Sequence, residues 1–158
     1  RMAPSIQHII DTNREHLQMA YQFDDFLITH AGVSSIWADD VLGEWEVETL
    51  ADQINDMFKF QPHNISYRQY KQIGDQVYGT GGYGDETFQG PLWVRPRSLM
   101  VANYDTLRTK VRQVVGHTHM KEIDIEGKST GGRYYFIDTM PKYYLVVRDG
   151  DVHLGELN

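Results

Sequence analysis

Apolar positions along this chain follow helical spacing in its first third and strand-like spacing towards its end. From Ser5 to Ala20, Ile6, Ile9, Ile10, Leu17 and Met19 lie roughly on one side of a helix that Ser5 can cap. Asp24 and Asp25 then precede FLITHAG, a short apolar run ending in His30, Ala31 and Gly32, which predicts a buried strand running into a loop. A second helix is predicted from about Gly43 to Phe60, with Trp45, Leu50, Ile54, Met57 and Phe58 as its apolar set. A further helix from Tyr104 to Lys110 leads into a strand from Val111 to Val115. The tail reads as strands in KEIDI, RYYFIDT, KYYLVVRD and VHLGEL, separated by glycine-containing turns such as Asp149-Gly150. Helices early and antiparallel strands late predict an α/β (α+β mixed) fold in layers, a single domain over 1–158.

Between Gln61 and Gly90 the periodicity fades. VYGTGGYGDETFQG carries five glycines, and a stretch this long inside a compact domain predicts an irregular loop on the substrate side. A phosphate-cradling loop is a weak reading, because TGGYGDE neither follows a strand nor carries the GKS/T ending. Tyr67, Tyr70, Tyr78 and Tyr83 are available there for stacking or hydrogen bonding.

Composition narrows the chemistry. The 158 residues contain no cysteine, which removes disulfides and thiolate metal ligands. No apolar run approaches the ~18 residues that a membrane span needs, and RMAPSIQHII lacks the pattern of a secretory signal, so a cytoplasmic location is the expectation. A formal charge of −7 argues against nucleic-acid binding through a broad basic surface. It also means that an anionic substrate would need a local positive centre, such as bound cations or a few arginines.

VVGHTH, from Val114 to His119, is the stretch richest in chemistry. In an extended segment residues two apart share a side, so His117 and His119 are expected to project together, with Gly116 leaving room. Imidazole is the commonest protein metal ligand. His30 also closes an apolar run and precedes small residues, and sites in α/β folds gather at the carboxyl ends of strands. The plain alternatives are a chance H-x-H pair and a hydrogen-bonded core histidine at position 30.

FLITHAGVS followed by VVGHTH resembles the calcineurin-like metallophosphoesterases, including the bacterial serine/threonine-phosphatase-like members. Their later motifs are a histidine at a strand end before Ala-Gly or Gly-Gly, then Gly-His-x-His. The resemblance implies a four-layer α/β/β/α sandwich, of which this chain would be the C-terminal portion. It implies that His30 and His117 bind one divalent ion and His119 a second, the pair being manganese, iron or zinc. It also implies that Arg95 in PLWVRPRSL holds the substrate phosphate, with Arg97 the weaker choice; without it, Arg95 reads as a surface ion pair. The implied reaction is phosphate-ester hydrolysis, in which two ions roughly 3.5–4 Å apart clamp a phosphoryl oxygen and activate water. Substrates would be a phosphoprotein, a dinucleoside polyphosphate or a small phosphomonoester.

The family's Asp-x-His, Gly-Asp-x-x-Asp and Gly-Asn-His-Asp/Glu motifs do not precede His30 in this chain. Asp151-Val152-His153 has the first spelling but lies after a hairpin turn at the other end. The expectation is therefore a phosphoesterase portion that lacks its catalytic carboxylates, inactive alone. FLITH and VRQVV would then present unpaired strand edges and promote dimerisation or other association. The competing readings are a non-catalytic binding or regulatory module that keeps the fold, and a mononuclear zinc protein using the three histidines.

Overall fold

The computed structural model describes residues 3–60, 70–73, 76–79, 86–103, 110–126, 132–140 and 142–157. Its elements run α1 (Ala3–Asn13), β1 (Ala20–Phe23), β2 (Phe26–Thr29), α2 (Ser35–Val41), α3 (Leu50–Phe60), β3 (Tyr70–Ile73), β4 (Gln76–Gly79), α4 (Pro96–Ala102), β5 (Arg112–Val115), β6 (Asp124–Glu126), β7 (Tyr134–Phe136), β8 (Tyr143–Arg148) and β9 (Asp151–Glu156), with single 3-10 turns at Arg14–His16 and Val47–Thr49.

A five-stranded mixed sheet in the order β1-β2-β5-β7-β6 forms the centre. β2, β5 and β7 are mutually parallel, while β1 and β6 pair antiparallel on the outside. The fold is therefore mixed α/β, as the sequence predicts. Alternation along each strand divides the core. Leu27 faces a cluster with Trp37, Leu50, Ile54 and Phe58 of α2 and α3, and Val115, Tyr134 and Phe136 pack with Leu99 of α4. Phe26, Val114 and Tyr135 point to the other face, where Leu145, Val147 and Val152 of the β8–β9 hairpin cover them. Among the described residues the layers are thus helices, sheet and hairpin. No helix of the described residues is long and apolar enough to cross a membrane.

Several expectations need correction. The first helix stops at Asn13, whose side-chain amide donates back to the Ile9 carbonyl at 2.8 Å. Ala20 belongs to β1 instead, because Asn55 on α3 captures the main chain there: its Oδ1 accepts from Met19 and Ala20 N–H, and its Nδ2 donates to the Ala20 carbonyl. The apolar spacing of Leu17 and Met19 was that of an approach to a strand. The second helix begins at Leu50 rather than Gly43, since Gly43 takes a positive φ of 76° and Val47–Thr49 forms a 3-10 turn. Two seven-residue helices, α2 and α4, were not predicted. Each carries a local signal: Ser34 accepts from Trp37 N–H at 3.0 Å as a cap, and Pro96 opens α4.

Within 61–90, β3 and β4 form an antiparallel hairpin and Phe88, Gln89 and Gly90 are buried, so that stretch is not wholly an irregular loop. Residues 61–69, 74–75 and 80–85, with Tyr67 and Tyr83, lie outside the described residues, as do 104–109 of the helix expected before β5. FLITH and VRQVV are not edges. β2 is paired by β1 and β5, and β5 by β2 and β7, so among the described residues the outer strands of this sheet are β1 and β6.

One side chain ties three segments together at the start of β5. Arg112 forks onto Asp25 in the β1–β2 turn at 2.7 and 2.5 Å and donates to the Gly150 carbonyl of the β8–β9 turn at 2.8 Å. Its guanidinium also lies 3.7 Å from the Phe26 ring centroid. The Asp25 hydrogen bond raises the already high pKa of Arg112, against the opposing effect of burial. The positive charge there is permanent.

Candidate active site at the strand ends

His30 follows β2 and Gly116-His117 follows β5, and these strands are parallel neighbours with Thr29 opposite Val115. The two histidines are therefore delivered to the same rim although they lie 87 positions apart. The Gly116 N–H donates to the His30 carbonyl at 2.9 Å, continuing the ladder one residue past the strands. His30 Nε2 and His117 Nδ1 then approach to 3.0 Å, with ring centroids 4.9 Å apart.

The loop after His30 is held by buried polar groups. Thr29 Oγ1 accepts from Gly32 N–H at 2.9 Å, Gln113 brackets Val33 by accepting from its N–H and donating to its carbonyl, and Asn103 bonds Val33 and Ser35. Gly32 is required here for two reasons. Its φ is 107°, and a Cβ would come within 2.4 Å of Leu99 Cδ2. The small residues after His30 thus serve the fold under the site.

Gly116 does not have the role expected of it. A Cβ there would sit 3.6 Å from the His30 carbonyl oxygen, an ordinary contact, so an alanine would not crowd the histidines. Nor does strand alternation continue to His119. His117 adopts a φ of 65°, and Thr118 N–H turns back to the Gly116 carbonyl at 2.7 Å, so the segment is a tight turn and the two-residue rule no longer applies. His117 is half-buried and His119 is exposed.

Trp93, in the loop before α4, lies against His117 with ring centroids 5.1 Å apart. Arg95 is the half-buried residue preceding α4, and its charge reaches His117; Arg97 is exposed in the first turn of α4. Burial lowers the His117 pKa, helped by the charges of His30 and Arg95 and opposed more weakly by Asp138 and the Trp93 main chain. A neutral imidazole is the form that ligates a cation. His117 Nε2 and Thr118 Oγ1 are buried without hydrogen-bond partners among the described residues.

The two nitrogens stand at hydrogen-bond distance, 3.0 Å, which is somewhat closer than the roughly 3.3 Å between two imidazole nitrogens bound to one tetrahedral zinc at about 2.0–2.1 Å. Among the described residues no group of three histidine or acidic side chains is placed to hold an ion. The structure brings together His30 and His117, sets Arg95 beside them, and does not gather His119 or Arg97 into the pair. Asp138, just past β7, and Trp93 escaped the sequence reading. RYYFIDT carries Asp138 just past its apolar run as FLITH ends in a histidine, so the same strand-end pattern would have found Asp138.

An open cavity of about 430 Å³, walled by Met19, Tyr21, Ile28, Leu92 and His30 among others, adjoins the pair. A larger one of about 510 Å³ runs between β1 and α3 and contains none of these site residues.

This architecture is shared with two solved phosphatases. One is a point mutant of a cold-active protein tyrosine phosphatase, at a TM-score of 0.53 and 16% identity over 88% of this chain and 40% of that one. The other is the cold-active protein tyrosine phosphatase of a psychrophilic Shewanella species, at 0.50 and 15%, with the same coverage. The likeness is one of fold, and this chain spans 40% of the length of those proteins. No protein-family model and no curated protein sequence matches the chain.

Proposed function

We propose that this chain carries the histidine and arginine portion of a metal-dependent phosphoesterase site of the calcineurin-like kind. The observation that carries the reading is the approach of His30 Nε2 to His117 Nδ1 at 3.0 Å, from two adjacent parallel strand ends. The shared fold with two proteins named as phosphatases supports the same reaction class.

In this reading His30 and His117 hold one divalent ion, of manganese, iron or zinc, and His119 serves a second. The bound ions supply a Lewis acid and an activated water. Arg95 neutralises the phosphoryl oxygens beside His117, and Arg97 draws the anion towards the rim. Trp93 packs on His117 and limits the orientations of its ring. Together these cations meet the need that a chain of −7 has for a local positive centre. The substrates to compare are a phosphoprotein, phosphotyrosyl or phosphoseryl, a small phosphomonoester and a dinucleoside polyphosphate.

The test is calorimetric titration of the chain with zinc and with manganese, beside His117→Ala and Arg95→Ala, followed by turnover of para-nitrophenyl phosphate by the longest form of the protein. Wild type should bind zinc at least tenfold more tightly than His117→Ala, whereas Arg95→Ala should retain the metal and lose kcat/KM. Equal zinc affinity in wild type and His117→Ala would end the metal reading.

A further inference from the structure

The three parallel strands β2, β5 and β7 end at one rim, and each contributes the residues just beyond it. His30 follows the first and His117 the second. The third continues into Ile137 and Asp138, the one carboxylate in the rim segments His30–Ala31, Gly116–His119 and Ile137–Thr139. Val115 is opposite Phe136 at the last paired position and Ile137 N–H still reaches the Val115 carbonyl at 2.9 Å, so Asp138 leaves its strand next to the turn that carries His117.

Main-chain contacts bind Asp138 to the turn. Its carbonyl accepts from Met120 N–H at 2.8 Å, and a Cβ on Gly116 would lie 3.9 Å from its own Cβ. The side chain is half-buried and has no hydrogen-bond or ion-pair partner among the described residues, although its charge reaches His117. The carboxylate's position near the His117 imidazole becomes favourable once positive charge occupies the rim.

We propose that Asp138 is a positioning residue of the histidine pair. Its main chain fixes the turn that carries His117, and its carboxylate supplies negative charge that favours a divalent cation there. It acts through His117 rather than as a ligand, consistent with the described residues offering no three-group ligand set. This rests on the cation reading above. A carboxylate that accepts a hydrogen bond from a metal-bound histidine is worth about 10–100-fold in affinity, and Asp138, whose carboxylate acts by charge alone, should lie at the lower end of that range.

The experiment compares wild type, Asp138→Asn and Asp138→Glu for zinc affinity, by competition with a chromophoric chelator. Thermal midpoints and imidazole nitrogen–proton spectra of the metal-free proteins are recorded at the same pH. Asp138→Asn should weaken zinc binding at least about tenfold. Asp138→Glu should recover most of that loss, and in the metal-free Asn variant the His117 ring signals should move while those of His16 and His153 stay. Unchanged zinc affinity in Asp138→Asn overturns the proposal. So does equal weakening in both variants with a matching fall in thermal midpoint, which would mark a structural role alone. If wild type binds no zinc, the cation reading fails by itself. The ring signals then decide: unmoved His117 resonances overturn the positioning role, and moved ones sustain it.

Discussion

Gly32→Ala is the sharpest probe of how the fold supports the rim. The residue sits two positions after His30 at a φ of 107°, and its hypothetical Cβ lies 2.4 Å from Leu99 Cδ2, 3.0 Å from Cδ1 and 3.3 Å from Cγ. Leu99 is fully buried among Ala31, Val94, Val115, Tyr134 and Phe136, so its side chain has nowhere to swing. The backbone penalty is of order 1–3 kcal/mol and the overlap adds about 1–3, giving roughly 2–6 kcal/mol in total. That is a large share of the ~5–15 kcal/mol that holds a domain folded. Urea unfolding followed by tryptophan fluorescence measures the loss as a shift in midpoint. Leu99→Val separates the two contributions. Alone it should cost about 1 kcal/mol for the lost methylene. Combined with Gly32→Ala it should leave the protein more stable than the sum of the single changes by about 1–3 kcal/mol, because the overlap is gone. Additivity within about 0.5 kcal/mol would show that Leu99 is not what excludes a side chain, and a Gly32→Ala cost under about 1 kcal/mol would refute both parts of the reasoning.

Three further outcomes follow from the structure. Arg112→Met should cost about 1.5–3 kcal/mol, discounted towards the lower end because Asp25 is 39% exposed; a urea midpoint within error of wild type would show that the fork on Asp25 contributes nothing net. For His117, burial depresses the folded pKa below the ordinary 6.5. The metal-free protein should therefore keep its full stability above about pH 6.5 and lose some as the pH falls through the lowered value, because protonation favours the unfolded chain. His117→Gln should flatten this dependence, and parallel losses in both proteins would assign the effect elsewhere. At Gly155 a Cβ would fall 2.1 Å from Tyr144 Cζ, but that ring is 45% exposed and can swing away. Gly155→Ala should then cost only about 0.5–1 kcal/mol and displace the Tyr144 ring signals; undisturbed signals would show that the ring does not cover the glycine.

The sequence made some of this legible and hid the rest for identifiable reasons. FLIT was readable as a strand because residues buried on both sheet faces form a short apolar run, and RQVV through its flanking valines, although its buried Gln113 is explained only by its bonds to Val33. The helix limits were not, because Asn55 captures Ala20 from 35 positions away and no local pattern carries that information. α2 and α4 span two turns each, too few for periodicity to emerge, and only their caps betray them. At the rim, the meeting of His30 with His117 was foreseeable from strand-end logic. The divergence of His119 was not, since it depends on a positive φ at a histidine, which composition does not signal. Asp138 stands in the corresponding place past β7, but only the β5–β7 pairing brings that strand end beside His117.

The parallel pairing of β2 with β5 also bears on how the protein reaches this state. The β1–β2 and β8–β9 hairpins close over two-residue turns, so they can form within microseconds. His30 and His117 are separated by 87 positions, and their register exists only after that long loop has closed. The histidine pair is therefore among the last features to assemble during refolding, and its ring signals would time the completion of the sheet rather than its beginning.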